Sequence, residues 1–307
     1  QRSAYLYGKD FMETGIIEDL GFTQEAGGEK CYAKGRFLDA LLEQRVITGS
    51  GSLRGSAESV MQDFVSLYAI SGRHAIPNLY LRSTCGGTSN IEVQAVGESL
   101  LERLYQIAQS QEISIRMQYS HVEAALYFDI WRGVDRTAGQ SENPRAIFSD
   151  AFENVTTSSY TCSRSDYKNF AYVVGENASG AQVVAQVDHA GREERREVWI
   201  DAKDIKQEEG MTASQYSAAL KQRGEEKLAE YVVAESVDAK VNTVGNLVYG
   251  ADYDLGDKCT YRNDRLGVSC DLRITGVTET YENNTRTVEI TFGSEEKTIL
   301  KKIKRGV

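Results

Sequence analysis

The 307 residues carry 35 Lys and Arg against 45 Asp and Glu, a formal charge of −10, and no basic run exceeds Lys301-Lys302-Ile303-Lys304-Arg305. That balance excludes a general or sequence-specific nucleic-acid-binding surface, because affinity for phosphate comes from concentrated positive charge. Hydrophobic content of 41% and charged content of 26% are those of an ordinary globular chain, and no apolar run approaches the roughly 18 residues a bilayer-spanning helix needs, so no membrane partner is expected.

Ser3–Tyr7 is a short Tyr-rich run, followed by a polar segment to Gly28. Glu29–Lys34 reads as a strand. Phe37, Leu38, Leu41 and Leu42 recur at helical spacing, which predicts a short helix over 36–43 and then a strand over Arg45–Thr48. The stretch from Gly49 to Ser56, GSGSLRGS, has the strand-to-helix context of a phosphate loop. It lacks Gly-Lys-Ser/Thr and the GxGxxG spacing, so it reads as a flexible turn with Ser56 as helix N-cap. The helix over 57–70 places Val60, Phe64, Leu67 and Tyr68 on one stripe. Asn78–Ser83 is a strand and Cys85-Gly86-Gly87 a turn. A second helix runs from about Gly97 to Ser110, with Leu100, Leu101, Leu104, Ile107 and Ala108 inward. With strands at Ile113–Tyr119 and Glu123–Trp131, residues 56–132 are expected to form an α+β unit of two helices on an antiparallel sheet.

Residues 145–205 are strand-rich. The expected strands are Ile147–Ser149, Val155–Ser163, Asn169–Glu176, Gln182–Asp188 and Arg195–Asp201, with Asn177–Gly180 as a hairpin turn. Thr212 and Gln215 have capping-box spacing and open a helix carrying Tyr216, Leu220, Leu228 and Tyr231, which Gly224 interrupts. Val248–Gly293 then reads as three strand runs joined by two tight turns: Lys258–Arg262, Val268–Val277 and Thr285–Phe292, with turns at 263–267 and 281–284. Arg286, Val288, Ile290 and Phe292 share one side of a period-2 pattern, so one face is buried and the other wet. Asp252, Asp254 and Asp257 enter this meander around Gly256. Their spacing fails the EF-hand pattern, and they read as a bend that caps the strand entry.

Little in the chain points to chemistry. The three histidines, His74, His121 and His189, form no HxxxH or HxH pair. His121 and Glu123 read as a surface pair at a strand edge, and His189 as part of a hairpin turn. Glu123, Asp129 and Asp135 are an acidic set, the residue type of a glycosidase, but Glu123 and Asp129 lie about 20 Å apart on one extended strand. No catalytic residue, cofactor-binding residue, metal ligand or cofactor is expected. The five cysteines (31, 85, 162, 259 and 270) are odd in number and scattered, as in a reducing compartment, although Cys259 and Cys270 sit on opposite arms of one hairpin. Gln1 follows no secretory signal pattern and reads as a processed or truncated start, so the sequons at Asn154, Asn177 and Asn283 are put down to chance. Tyr, at 17 against 9 Phe and 2 Trp, is the outlier and suits strands and interfaces. With only 2 Pro, long stiff linkers are absent and the units should interlock.

YGADYDLGD (249–257), the hairpin after it, RITGVTETYE (273–282) and the TFG ending at Gly293 resemble the C-terminal part of the siphovirus tail-hub, or baseplate-hub, family. AKGRFLDALLEQRVI (33–47), WRGVDRT (131–137), YKNFAYVVGE (167–176) and REVWIDAKDI (196–205) fall in that family's order. The resemblance implies a mostly β, α+β architecture of β-barrel-like hub domains with an inserted α+β domain. It divides the chain into a first barrel part (1–50), the insertion (51–145), the rest of the β-rich domain (146–210), a connecting helix (211–231) and a C-terminal barrel or meander (232–307). It also implies a virion structural protein, not an enzyme, assembled in the bacterial cytoplasm as a ring, a homotrimer, around an acidic tail channel. The partners implied are copies of itself, a distal tail ring, a tape measure, and a tail spike or fibre. A tail-associated cell-wall hydrolase and a glycan- or receptor-binding module using exposed Tyr are the alternatives.

Overall fold

The computed structural model describes residues 5–6 and 14–293, apart from 26, 50–51, 73, 83, 209, 243–244 and 284. The expected Lys/Arg tail at 301–305, most of the Tyr-rich run at 3–7, and positions 50–51, 83 and 284 of the segments read above lie outside the described residues. The chain runs β1 (Tyr5–Leu6), β2 (Gly15–Glu25), β3 (Gly28–Phe37), α1 (Ala40–Glu43), β4 (Val46–Ile47), β5 (Leu53–Ser56), α2 (Ala57–Val65), a π-helical turn (Ser66–Ile70), β6 (Leu79–Leu81), β7 (Asn90–Val93), β8 (Glu98–Ser99), α3 (Leu100–Ser110), β9 (Ser114–Ser120) and β10 (Ala125–Trp131). It continues through β11 (Ile147–Ser149), β12 (Val155–Ser163), β13 (Phe170–Glu176), β14 (Gln182–Asp188), β15 (Glu197–Lys206), α4 (Ala213–Leu228), β16 (Ala234–Val241), β17 (Lys258–Asn263), β18 (Val268–Glu282) and β19 (Thr285–Gly293). Strand dominates, and the chain divides into two units, each built from three separate stretches of sequence.

The first unit comprises Gln1–Trp131, Ala171–Asp188 and Val198–Ala229. Ser56 caps α2, its hydroxyl accepting from Ser59 N at 3.2 Å, as its sequence position predicts. Val60, Met61 and Phe64 of α2 and Leu100, Leu104 and Ile107 of α3 share one core with Leu126, Phe128 and Ile130 of β10 and Ile115 and Met117 of β9. The sheet beneath them, β6-β10-β9, is mixed: β9 runs antiparallel to β10 but β6 runs parallel to it. The antiparallel expectation fails because β6 reaches the sheet before α3, and strands separated by a helix can pair in parallel. A second core lies between α4 and the sheet β14-β13-β15, where Tyr216, Ala219 and Leu220 meet Val173, Val187 and Ile200. The capping box is present: Gln215 N donates to Thr212 Oγ1 (3.3 Å) and Thr212 N to Gln215 Oε1 (2.9 Å). Gly224 does not interrupt α4. A Cβ there would stand 2.6 Å from Val187 Cγ2 and 2.8 Å from Val173 Cγ2, so glycine lets the helix approach the sheet.

Two readings near the N-terminus change. The polar segment before Gly28 contains an eleven-residue strand, β2, paired with β3 from Gly15↔Phe37 to Glu25↔Gly28. Nearly all of this ribbon is exposed on both sides, so it has no buried face to impose a period-2 apolar pattern. The helix expected over 36–43 shrinks to α1, because Arg36 and Phe37 belong to β3 and Arg36 pairs with Glu18 at 2.9 Å.

The second unit comprises Arg132–Phe170, His189–Glu197 and Glu230–Val307. Its six-stranded sheet has the order β11-β17-β18-β19-β16-β12. Val268–Arg273 of β18 pairs with β17, and Ile274–Glu282 with β19, with a bulge between Ile274 and Gly276 where the strand turns from one half of the sheet to the other. The inner face buries Phe148, Val237, Tyr253, Cys259, Tyr261, Val288, Ile290 and Phe292. Phe148 stands edge-on to Tyr253 and to Phe292, with centroids 5.0 Å away in each pair. Among the described residues the result is a half-barrel in which β11 and β12 are the two edges.

Candidate assembly surfaces

The residue types capable of chemistry are dispersed or committed to structure. His121 and Glu123 lie in the turn before β10, not on the strand. Glu123 accepts from Tyr127 OH at 2.6 Å, and that bond, with one from Ser120, holds its carboxyl below the usual range. Asp129 is buried on β10 opposite Arg116, 3.8 Å away. Asp135 belongs to the second unit and accepts from Thr137 N at 2.9 Å. His189 N donates to Asn169 O in the segment that joins β14 to β15; those strands flank β13 on opposite sides, so the segment is a crossover and not a hairpin turn. Among the described residues no group of three or more His, Cys, Asp or Glu is arranged to hold a metal ion.

The aspartates around Gly256 form the expected strand-entry bend. Asp252 Oδ2 accepts from Val248 N at 2.8 Å, and Asp254 Oδ1 from Leu255 N at 2.7 Å. Asp257 does more. Its Oδ1 accepts from Val134 N at 2.7 Å, and its Oδ2 from Arg136 Nε at 2.7 Å and Asp254 N at 3.0 Å. One buried carboxylate thereby fastens 134–136 to the meander. The sequon asparagine Asn154 is likewise buried: Ser149 N donates to its Oδ1, and its Nδ2 donates to Ile147 O and to Asn246 Oδ1.

All five cysteines are thiols. The register sets Cys259 opposite Leu272 and Cys270 opposite Tyr261, so the two are diagonal rather than directly paired. Burial pushes Cys259 up to about 12 and Cys270 up to about 11. Because the thiolate is the reactive form, a disulfide-exchange reagent at pH 8 is expected to label exposed Cys31 and Cys162 quickly, Cys85, whose thiol donates to Glu58, and half-buried Cys270 more slowly, and buried Cys259 only after unfolding. Rapid labelling of Cys259 in the native protein would contradict its burial.

Glu58, at the start of α2, holds the loop around Gly86. It accepts from Cys85 N (2.6 Å), Gly86 N (2.8 Å), Cys85 Sγ (3.1 Å) and Thr88 Oγ1 (3.3 Å). Burial alone would raise its pKa, but these bonds to the charged form outweigh it and the net shift is downward from 4.5. A lowered carboxylate stabilises fully above its unfolded value and loses that contribution as pH falls through the folded one. Glu58→Gln is therefore expected to flatten the acid limb of the stability profile below about pH 4.5. An unchanged slope in urea titrations over that range would refute it.

What stands out instead is exposed apolar and aromatic surface. On the β2–β3 ribbon, Leu20 pairs with Ala33 and Phe22 with Cys31, forming one apolar face. Leu20 and Phe22 are each 76% exposed. On the other ribbon face Tyr32, itself 49% exposed, lies across Gly21, and Lys34 Nζ sits 5.2 Å from the Tyr32 ring centre. On the sheet β14-β13-β15, the face turned away from α4 carries Val184 and the pair Tyr172–Trp199, centroids 6.3 Å apart, with Trp199 62% exposed. On β6 and β10, Tyr80 and Tyr127 lie 6.0 Å apart with the Arg82 guanidinium 4.2 Å above Tyr127. A shallow, open depression at the β18–β19 tip is lined by Tyr281, Glu282, Asn283, Thr285 and Arg286. None of these is an enclosed cleft with converging acids. The tyrosine excess foreshadowed such surfaces, but nothing in the sequence marked the Leu20–Phe22 face.

The fold is that of phage and prophage tail proteins. Similar structures include the tail protein of Neisseria meningitidis MC58 (TM-score 0.55, 13% identity, covering 92% of this chain and 80% of that one). The 43 kDa tail protein of prophage MuSo2 from Shewanella oneidensis (0.54, 15%, 94% and 81%) and prophage tail protein gp18 from Listeria monocytogenes EGD-e (0.51, 11%, 98% and 82%) are similar too. At these identities the likeness is one of fold. The chain belongs to the family described as siphovirus ReqiPepy6 Gp37-like protein, whose model matches residues 4–294. No curated protein matches the chain.

Proposed function

We propose that this chain is a structural component of a phage or prophage tail, the hub at its tip, and that it assembles as a homotrimeric ring around the tail channel. The observation that carries the reading is the family match over 4–294 on a chain that shares its fold with prophage tail proteins over more than nine-tenths of its length. A half-barrel with open edges and several exposed aromatic faces supports it, because such elements suit lateral contacts between copies. In this reading residues 51–145 are an insertion between barrel-forming parts, and the net charge of −10 keeps the channel wall from retaining DNA. The distal tail ring, the tape measure and a spike or fibre are its neighbours in the virion, after assembly in the host cytoplasm. Against the cell-wall hydrolase alternative, Glu123 accepts from Tyr127 and Asp129 is buried opposite Arg116, so neither of these acids is placed to act on a substrate; no observation favours the glycan-binding alternative.

Light scattering on the purified chain tests the proposal. The expected mass is three times the 34.1 kDa protomer, with a central hole in class-averaged electron micrographs. A particle that remains 34.1 kDa at every concentration, or a compact oligomer without a hole, would count against it.

A further inference from the structure

We draw no further inference here: the strongest candidate, the outer face of the β6-β10-β9 sheet, where Tyr80 lies 6.0 Å from Tyr127 and the Arg82 guanidinium stands 4.2 Å above the Tyr127 ring, is an exposed aromatic patch, and nothing in the structure shows what covers it.

Discussion

Alanine at position 257 is expected to destabilise the second unit by about 3–5 kcal/mol, the range for removing one partner of a buried ion pair. Asp257 is 2% exposed and accepts three hydrogen bonds, from Val134 N, Arg136 Nε and Asp254 N. Without it Arg136 loses its counter-charge, and two backbone amides lose acceptors that water does not replace. The knot is sterically tight as well: a Cβ at Gly133 would stand 1.9 Å from Gly256 O, so 133–136 has no slack with which to find new partners. Asp257→Asn keeps the shape and separates charge from geometry. Its amide offers one acceptor oxygen, and its NH2 group meets Arg136 Nε and Asp254 N, both donors, so it is expected to recover little. Urea unfolding of the full chain checks both variants. A midpoint shift equivalent to under about 1 kcal/mol for alanine, the scale of an exposed pair, would show that the carboxylate is dispensable.

That knot also shows where reading from sequence stops. The C-terminal meander was legible because its strands have one wet and one buried face: Val288, Ile290 and Phe292 alternate outward to Glu289 and Thr291, and the register follows. The Ser56 cap and the Thr212–Gln215 box were legible because the interaction spans three residues. Asp257 read only as a local bend, since Val134 lies 123 positions away and nothing in either segment announces the other. The β2–β3 ribbon is only half legible for the opposite reason: beyond Ile16, which joins the first unit's core, neither face is buried, so burial imposes no period on β2. Propensity alone penalises Gly224 and makes it look like a weak point of α4, whereas contact with Val173 and Val187 requires it. For the assembly surfaces, the count of tyrosines was visible, but which of them face outward depends on which side of each sheet a helix covers.

The same logic of distant partners sets the second large effect, in the first unit. Arg103 of α3 is 1% exposed and is held by Glu226 of α4, 2% exposed and 123 positions away. Glu98 takes the other side of the guanidinium at 2.7 Å, and Arg223 bridges Glu98 and Asp204 at 3.4 and 3.0 Å. Four charges and a fifth on β15 thus tie α3 and α4 together where an apolar contact would ordinarily serve. Glu226→Ala leaves Arg103 buried with Glu98 alone and is expected to cost about 3–5 kcal/mol. Arg103→Met combined with Glu226→Met removes both charges and fills their space. It is expected to lie within about 1 kcal/mol of the parent or above it, because a buried pair earns little net energy over apolar groups of similar volume. The coupling read from the double-mutant cycle should therefore be large, although the pair itself adds little to stability. A double variant as unstable as Glu226→Ala would mean that the network, through Glu98 and Arg223, depends on Arg103 itself rather than on the balance of charge. The role of the pair would then be to fix how α4 lies against α3, and hence how the β14-β13-β15 sheet presents Tyr172 and Trp199 on its other face.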